Sequence, residues 1–250
     1  MKKILLITFL SLMSAVLCGQ AKIYTKKTKL VDFPQKTTKV VLTGDVFLDG
    51  ILREEVSSCW HLSPFEFCSA ADYEKIKTNN GFYFLRVVKD EDLMSFRLEK
   101  GGKEDDPNTL RRPLEVVTMA IASADDASGE ELGYISAYLD VIQHFTEGAM
   151  ASESKAYMNL LLSASGKLRG RKILTDPKEC RAGFESCEAG AAVALVVAPH
   201  SGRTGAPYWL YVISCDTHEL LFIRRRTISQ KNPAGFSSSE LSKFNAVSAK

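Results

Sequence analysis

Apolar residues recur along this chain with two different periods, and each change of period marks a new element. Lys39–Thr43 (Lys-Val-Val-Leu-Thr) is a short apolar run of strand type. From Asp45 to Trp60 the rhythm changes. Phe47, Ile51, Leu52, Val56, Cys59 and Trp60 then fall at helical spacing, with Asp49, Arg53, Glu54 and Glu55 between them. That is the apolar stripe of a helix of about four turns. Leu62–Cys68 predicts a short strand carried by Leu62, Phe65 and Phe67, and Ala70–Lys77 a short polar helix. Phe82–Val88 predicts a strand apolar on both sides, which belongs inside a sheet covered by helices. Residues 39–88 therefore read as a β-α-β-α-β unit.

Leu93–Leu98 continues as a strand, followed by a charged loop over 99–113 with turn signals at Gly101-Gly102 and Asp106-Pro107. Leu114–Ile121 is another strand. Ser128 precedes a long helix, with Glu130 and Glu131 suited to its positive first turn. Leu132, Ile135, Leu139, Ile142, Phe145 and Met150 keep close to a 3.6 period, so this helix should pack on the sheet. A further helical segment is expected over Ser154–Ser163. Residues 164–190 are broken by glycines and Asp176-Pro177, and only Arg171–Leu174 reads as a short edge strand. Whether 164–190 meets a partner or merely connects is open. Ala191–Ala198 is a buried strand, and Tyr208–Ser214 with Glu219–Ile228 forms a hairpin around Cys215–His218. From Ser229 the chain turns polar, predicting a loosely held tail over 229–250.

The pattern gives an α/β fold class, with α+β as the alternative. The expected architecture is a mixed β-sheet with a β-α-β-α-β N-terminal unit, a long helix packed on the sheet and a C-terminal β-hairpin. No Pro/Ser-rich linker divides the chain, so 39–228 is expected to be a single α/β domain.

The N-terminus changes the picture of where the chain works. Lys2 and Lys3, an apolar stretch Ile4–Leu17, and small residues at Gly19 and Ala21 make residues 1–21 a secretory signal peptide. At about fourteen residues the apolar stretch is shorter than the roughly twenty needed to span a bilayer. Leu17 before Cys18 argues against lipidation, because a small residue normally precedes a lipidated cysteine. The chain is expected to be exported, periplasmic or outer-membrane-associated, without a transmembrane segment. Removal of 1–21 takes away two lysines and no acid, so the formal charge of +2 falls to about zero. That balance argues against a nucleic-acid partner. Residues 22–38 form a basic leader in which several lysines face only Asp32, and it reads as a solvated strand.

Candidate chemistry is sparse. Cys59, Cys68, Cys180, Cys187 and Cys215 survive cleavage, and an odd number cannot all pair within the chain. Cys180 and Cys187 flank a polar loop and are the candidate disulfide, with free thiols equally open. Cys59 and Cys68 are separated by an extended segment too long for a bridge, and with Cys215 they read as small hydrophobes. Ser136, Asp140 and His144 share a helix face, but the acid lies between the other two, where a triad needs the base. They read instead as an Asp–His pair on a solvated face. No histidine spacing supports a metal site, no glycine-rich loop supports a nucleotide, and no cofactor is expected. Thr43-Gly44-Asp45 is too acidic a turn to welcome a pyrophosphate. Arg224 and Arg226, two apart on a strand, project to one face and are the candidate binding residues for a carboxylate or phosphate.

The signal segment, the helix Phe47–Trp60, the segment Leu62-Ser-Pro-Phe-Glu-Phe-Cys68 and the strand Leu114–Ile121 resemble uncharacterised exported proteins of Gram-negative anaerobes. The order of amphipathic helix, short strand, helix and strand, closed by the hairpin Tyr208–Ile228, is also similar to a small domain of envelope accessory proteins. Those include the TolB N-terminal domain, the curli-secretion lipoprotein and lipoprotein activators of cell-wall synthases. This resemblance implies a non-enzymatic role, binding an envelope protein or polymer. The chain departs from that pattern in its hairpin, where Asp216-Thr217-His218-Glu219 lacks the usual glycine. The expected function is an exported, non-enzymatic envelope protein that binds or scaffolds another cell-envelope component. The alternative is a periplasmic hydrolase whose site is assembled from residues distant in sequence, including His144 or His200.

Overall fold

The computed structural model describes residues 30–102, 113–125, 129–152, 160, 168, 170–175, 188 and 190–248. A 3-10 turn, Leu30–Gln35, leads into β1 (Thr37–Val41), α1 (Val46–Cys59), β2 (Phe65–Cys68), α2 (Ala70–Ile76) and β3 (Phe82–Lys89). Then follow β4 (Leu93–Lys100), β5 (Leu114–Ser123), α3 (Gly129–Leu132), α4 (Ile135–Ala151) and β6 (Ile173–Leu174). The chain ends in β7 (Ala192–Val197), β8 (Pro207–Ser214), β9 (Leu220–Thr227) and α5 (Ser238–Ser248). The fold is α/β, with the predicted N-terminal β-α-β-α-β unit, a long helix packed on a sheet and a C-terminal hairpin. Its strands are shared between two mixed sheets, ordered β2-β1-β3-β4-β5 and β6-β7-β8-β9.

In the first sheet β1 runs parallel to β2 and β3, while β4 and β5 return antiparallel. From β1 the chain steps sideways to β2, then crosses back past β1 to β3. Right-handed crossovers in opposite directions must put their helices on opposite faces. The packing agrees. Leu48, Leu52 and Val56 of α1 join Val40, Tyr83 and Leu85, whereas Tyr73 of α2 packs with Val41 and Phe84 on the other side.

α4 is buried along most of its length, and one core cluster takes in its residues together with β5, β7 and β8. Tyr138 of α4 meets the Tyr211 ring at a centroid distance of 6.1 Å. Tyr211 in turn donates its hydroxyl to the Ala120 carbonyl of β5 at 3.1 Å. A single body of apolar contact thus joins the two sheets.

Three expectations need correction. The helix predicted from Ser128 onward is two helices, broken at Gly133-Tyr134. Tyr134 (φ −104°, ψ 9°) caps α4 without a side-chain hydrogen bond. The basic leader is not wholly solvated, because Phe33 is completely buried against Trp60 and Tyr83, and β1 begins within it at Thr37. The expected loose tail carries α5, whose Phe244 is buried with Tyr208, Leu210 and Phe222 on the second sheet. The helical segment expected over 154–163, apart from Leu160, and most of 164–190 lie outside the described residues. No helix among the described residues is long and apolar enough to cross a membrane.

Candidate functional site

Because α1 and α2 leave the ends of β1 and β2 for opposite faces, the carboxyl edge of the parallel strands opens between them. In open α/β sheets this is where ligands bind. A cleft of about 570 Å³ lies at that edge. Its lining comes from the end of β1 and the following turn (Val41–Thr43, Asp45), Leu48 of α1, Tyr73 and Glu74 of α2, and Arg86–Lys89 of β3.

Local sequence builds each wall. Gly44 takes φ +87°, a conformation most side chains resist, and turns the chain from β1 into α1. Asp49 then folds back, accepting from Thr43 N (2.7 Å), Thr43 Oγ1 (2.8 Å) and Gly44 N (3.0 Å). Asp45 caps α1, accepting from Phe47 N at 2.9 Å and Leu48 N at 3.0 Å. The donors that a phosphate would use at a helix N-terminus are therefore already occupied by the chain's own carboxylates. On the opposite wall Arg86 stacks over Tyr73, its guanidinium carbon 4.4 Å from the ring centroid. The Tyr73 hydroxyl donates to Glu99 Oε2 at 2.9 Å. Burial and the Glu99 charge push the Tyr73 phenol up, so it remains a neutral donor. The cleft thus joins an apolar floor to two cations, Arg86 and Lys89, and two acids, Asp45 and Glu74.

The residues singled out in the sequence are placed elsewhere. Arg224 and Arg226 do share a face of β9, but both meet Glu240 of α5, at 2.6 and 2.8 Å. Burial alone would raise the Glu240 carboxyl. Hydrogen bonds from Ser237 and the two guanidinium charges outweigh it and hold the group below the usual carboxylate range. The two arginines therefore clasp the C-terminal helix. Cys180 and Cys187 lie outside the described residues, while Cys59 and Cys68 are free thiols. Burial pushes the Cys59 thiol up to about 12, with the Asp140 and Glu55 charges adding to it, so it stays protonated.

Asp140 pairs with His218 (Nδ1–Oδ2 2.7 Å) across 78 residues of chain, whereas His144 is exposed. His218 is the residue that lets the hairpin turn without glycine. It takes φ +49°, and the Asp140 contact anchors it there. His200 Nε2 lies 3.1 Å from Glu131 Oε2. Ser123 stands beside them, its hydroxyl accepting from the His200 backbone N at 3.1 Å. No cluster of three or more metal-ligating side chains occurs among the described residues.

Sequence reading missed Arg86 and Tyr73. The one available signal was the charge at Arg86, which interrupts a strand otherwise apolar on both faces. No protein-family model, curated protein or solved structure matches this chain.

Proposed function

We propose that the chain is an exported, non-enzymatic protein that binds another component of the cell envelope through the cleft at the carboxyl edge of its first sheet. The observation that carries this reading is the cleft itself. It lies at the point where the chain's connections diverge, within the roughly 300–1,000 Å³ range of ligand sites, and sets charged groups around an apolar floor. The leader-like residues 1–21 supply the expectation of export. Val46 and Phe47, between two lining residues, are 90% and 64% exposed and extend the apolar surface outward.

The test uses the full chain in a Gram-negative cell, with a photo-reactive amino acid in place of Thr43. The expected result is a processed chain in the envelope fraction that forms a defined adduct on irradiation. Leu48→Glu, which puts a charge on the cleft floor, should abolish that adduct. An unprocessed cytosolic chain, or an adduct indifferent to Leu48→Glu, overturns the reading.

A second reading rests on Ser123, Glu131 and His200: the His200 ring meets Glu131, and the His200 backbone N–H donates to the Ser123 hydroxyl. If they form a hydrolase site, His200→Ala removes turnover of activated esters by the purified chain. Turnover unchanged by that substitution ends this alternative.

A further inference from the structure

Resting on the cleft-binding reading above, we propose that the cleft receives the carboxylate of a small, largely apolar ligand, with the Arg86 guanidinium as its partner. Arg86 is short of hydrogen-bond partners. An arginine carries five N–H donors in a rigid fork. Here its Nε is buried and meets no hydrogen-bond partner among the described residues. The nearby acid is Glu99, whose Oε2 stands 3.5 Å from that Nε, an ion pair without a hydrogen bond. Glu99 is shared besides: its Oε2 accepts from Tyr73 and its Oε1 lies 4.0 Å from Arg97. The Nε edge is closed off beside Glu99, but the two terminal nitrogens of Arg86 donate no hydrogen bond among the described residues, and the side chain keeps 24% of its surface exposed, so the outer edge of the fork is what Arg86 offers a ligand. Stacking on Tyr73 fixes the guanidinium plane, so little freedom is lost when a ligand arrives. A planar carboxylate matches the fork, and Lys89, exposed at the end of β3, adds a second cation to the lining.

Two observations select a carboxylate over a phosphate. Asp45 and Glu74 share the lining with Arg86 and Lys89, so the cleft carries no excess of positive charge to hold a dianion. The backbone donors at Thr43, Gly44, Phe47 and Leu48, which would cradle phosphate oxygens, already serve Asp49 and Asp45. Val41, Leu48 and Val88 leave an apolar floor for the remainder of the ligand. The carboxylate has two possible sources, the C-terminus of a peptide or a free organic acid.

The experiment is calorimetric titration of the full chain with four probes: the dipeptide alanyl-phenylalanine, its C-terminal amide, hydrocinnamate and inorganic phosphate. The expected result is binding of the carboxylates, with the dipeptide at least about tenfold tighter than its amide. Arg86→Gln should remove that preference, bringing the dipeptide and its amide to equal affinity. Arg86→Lys keeps the charge without the fork and serves as the second variant, with thermal melts showing that both are folded. A dipeptide tighter than hydrocinnamate identifies a peptide end; the reverse order identifies a free acid. If the amide binds as tightly as the dipeptide and Leu48→Glu abolishes both, the carboxylate assignment falls while the cleft-binding reading stands. Binding of none of the four overturns the carboxylate assignment and counts against the cleft as well. Phosphate binding tighter than either carboxylate overturns the ligand class.

Discussion

Gln143 has no exposed surface, yet each end of its amide is used. Its Oε1 accepts from His61 N (2.9 Å) and Leu62 N (3.1 Å), while its Nε2 donates to Cys59 O (3.1 Å) and Asp140 Oδ1 (3.0 Å). One side chain on α4 thus closes the C-terminal end of α1 and orients the carboxylate that holds His218. Gln143→Leu keeps the bulk and orphans these groups. An unsatisfied buried polar group costs about 1–3 kcal/mol, so a loss of about 3 kcal/mol is expected, read as a lowered urea midpoint. Asp32 provides a second test at this scale. It meets Lys36 (2.8 Å) and Lys100 (2.9 Å) and accepts from the Tyr83 hydroxyl (2.7 Å). Burial raises its carboxyl, but these three partners prevail and hold it at about 2. The unfolded value is higher, so the stabilisation is fully present above about pH 4 and is lost as pH falls toward 2. Thermal melts between pH 5 and 2 should show a steeper loss for the native chain than for Asp32→Asn. Equal slopes would mean that the cluster contributes nothing to acid sensitivity.

At the scale of elements, the junction after β4 shows how a turn signal can mislead. Gly101-Gly102 reads in sequence as a turn. Instead Gly101 N donates to Phe82 O (2.9 Å) and Gly102 N to Lys77 O (3.1 Å), so the pair prolongs the ladder beside α2. The glycine is needed for space rather than for its dihedral freedom. A Cβ at position 101 would lie 1.9 Å from the Asn79 carbonyl oxygen. Gly101→Ala must push β4 and the α2–β3 loop apart, at a cost of about 2 kcal/mol in the range of overpacked sites. Hydrogen exchange of the Gly101 amide should accelerate in that variant before exchange in α4 does. α5 carries the complementary lesson. Its weak apolar pattern predicts a tail, yet Phe244 and the clasp of Arg224 and Arg226 on Glu240 hold it to the second sheet. Contacts made far along the chain override local preference here, as they commonly do for short helices.

For the whole molecule, one apolar core reaches both sheets, and the two tryptophans sample different parts of it. Trp60 packs between the 3-10 turn and α1, and Trp209 stacks on Tyr211 in β8. Shared burial should make unfolding a single cooperative event. Denaturation followed by fluorescence in Trp60→Phe and Trp209→Phe should give midpoints that coincide with circular dichroism for each variant. Separate midpoints would show that the sheets melt independently. Apart from α5 and the break between α3 and α4, the periodicity of apolar residues determined by itself the kinds of elements, their order and most of their bounds, because local spacing decides whether a helix or a strand can bury one face. It determined α1, β3, α4 and the β8–β9 hairpin, and that Arg224 and Arg226 share a face. Only the tertiary structure decided that the strands form two sheets, since strand pairing joins residues far apart and leaves no local period. It alone decided that Asp140 meets His218 rather than His144. It alone spent Arg224 and Arg226 on Glu240 and set Arg86 against Tyr73 in a cleft, because a site made where crossovers diverge exists only once the chain has crossed itself.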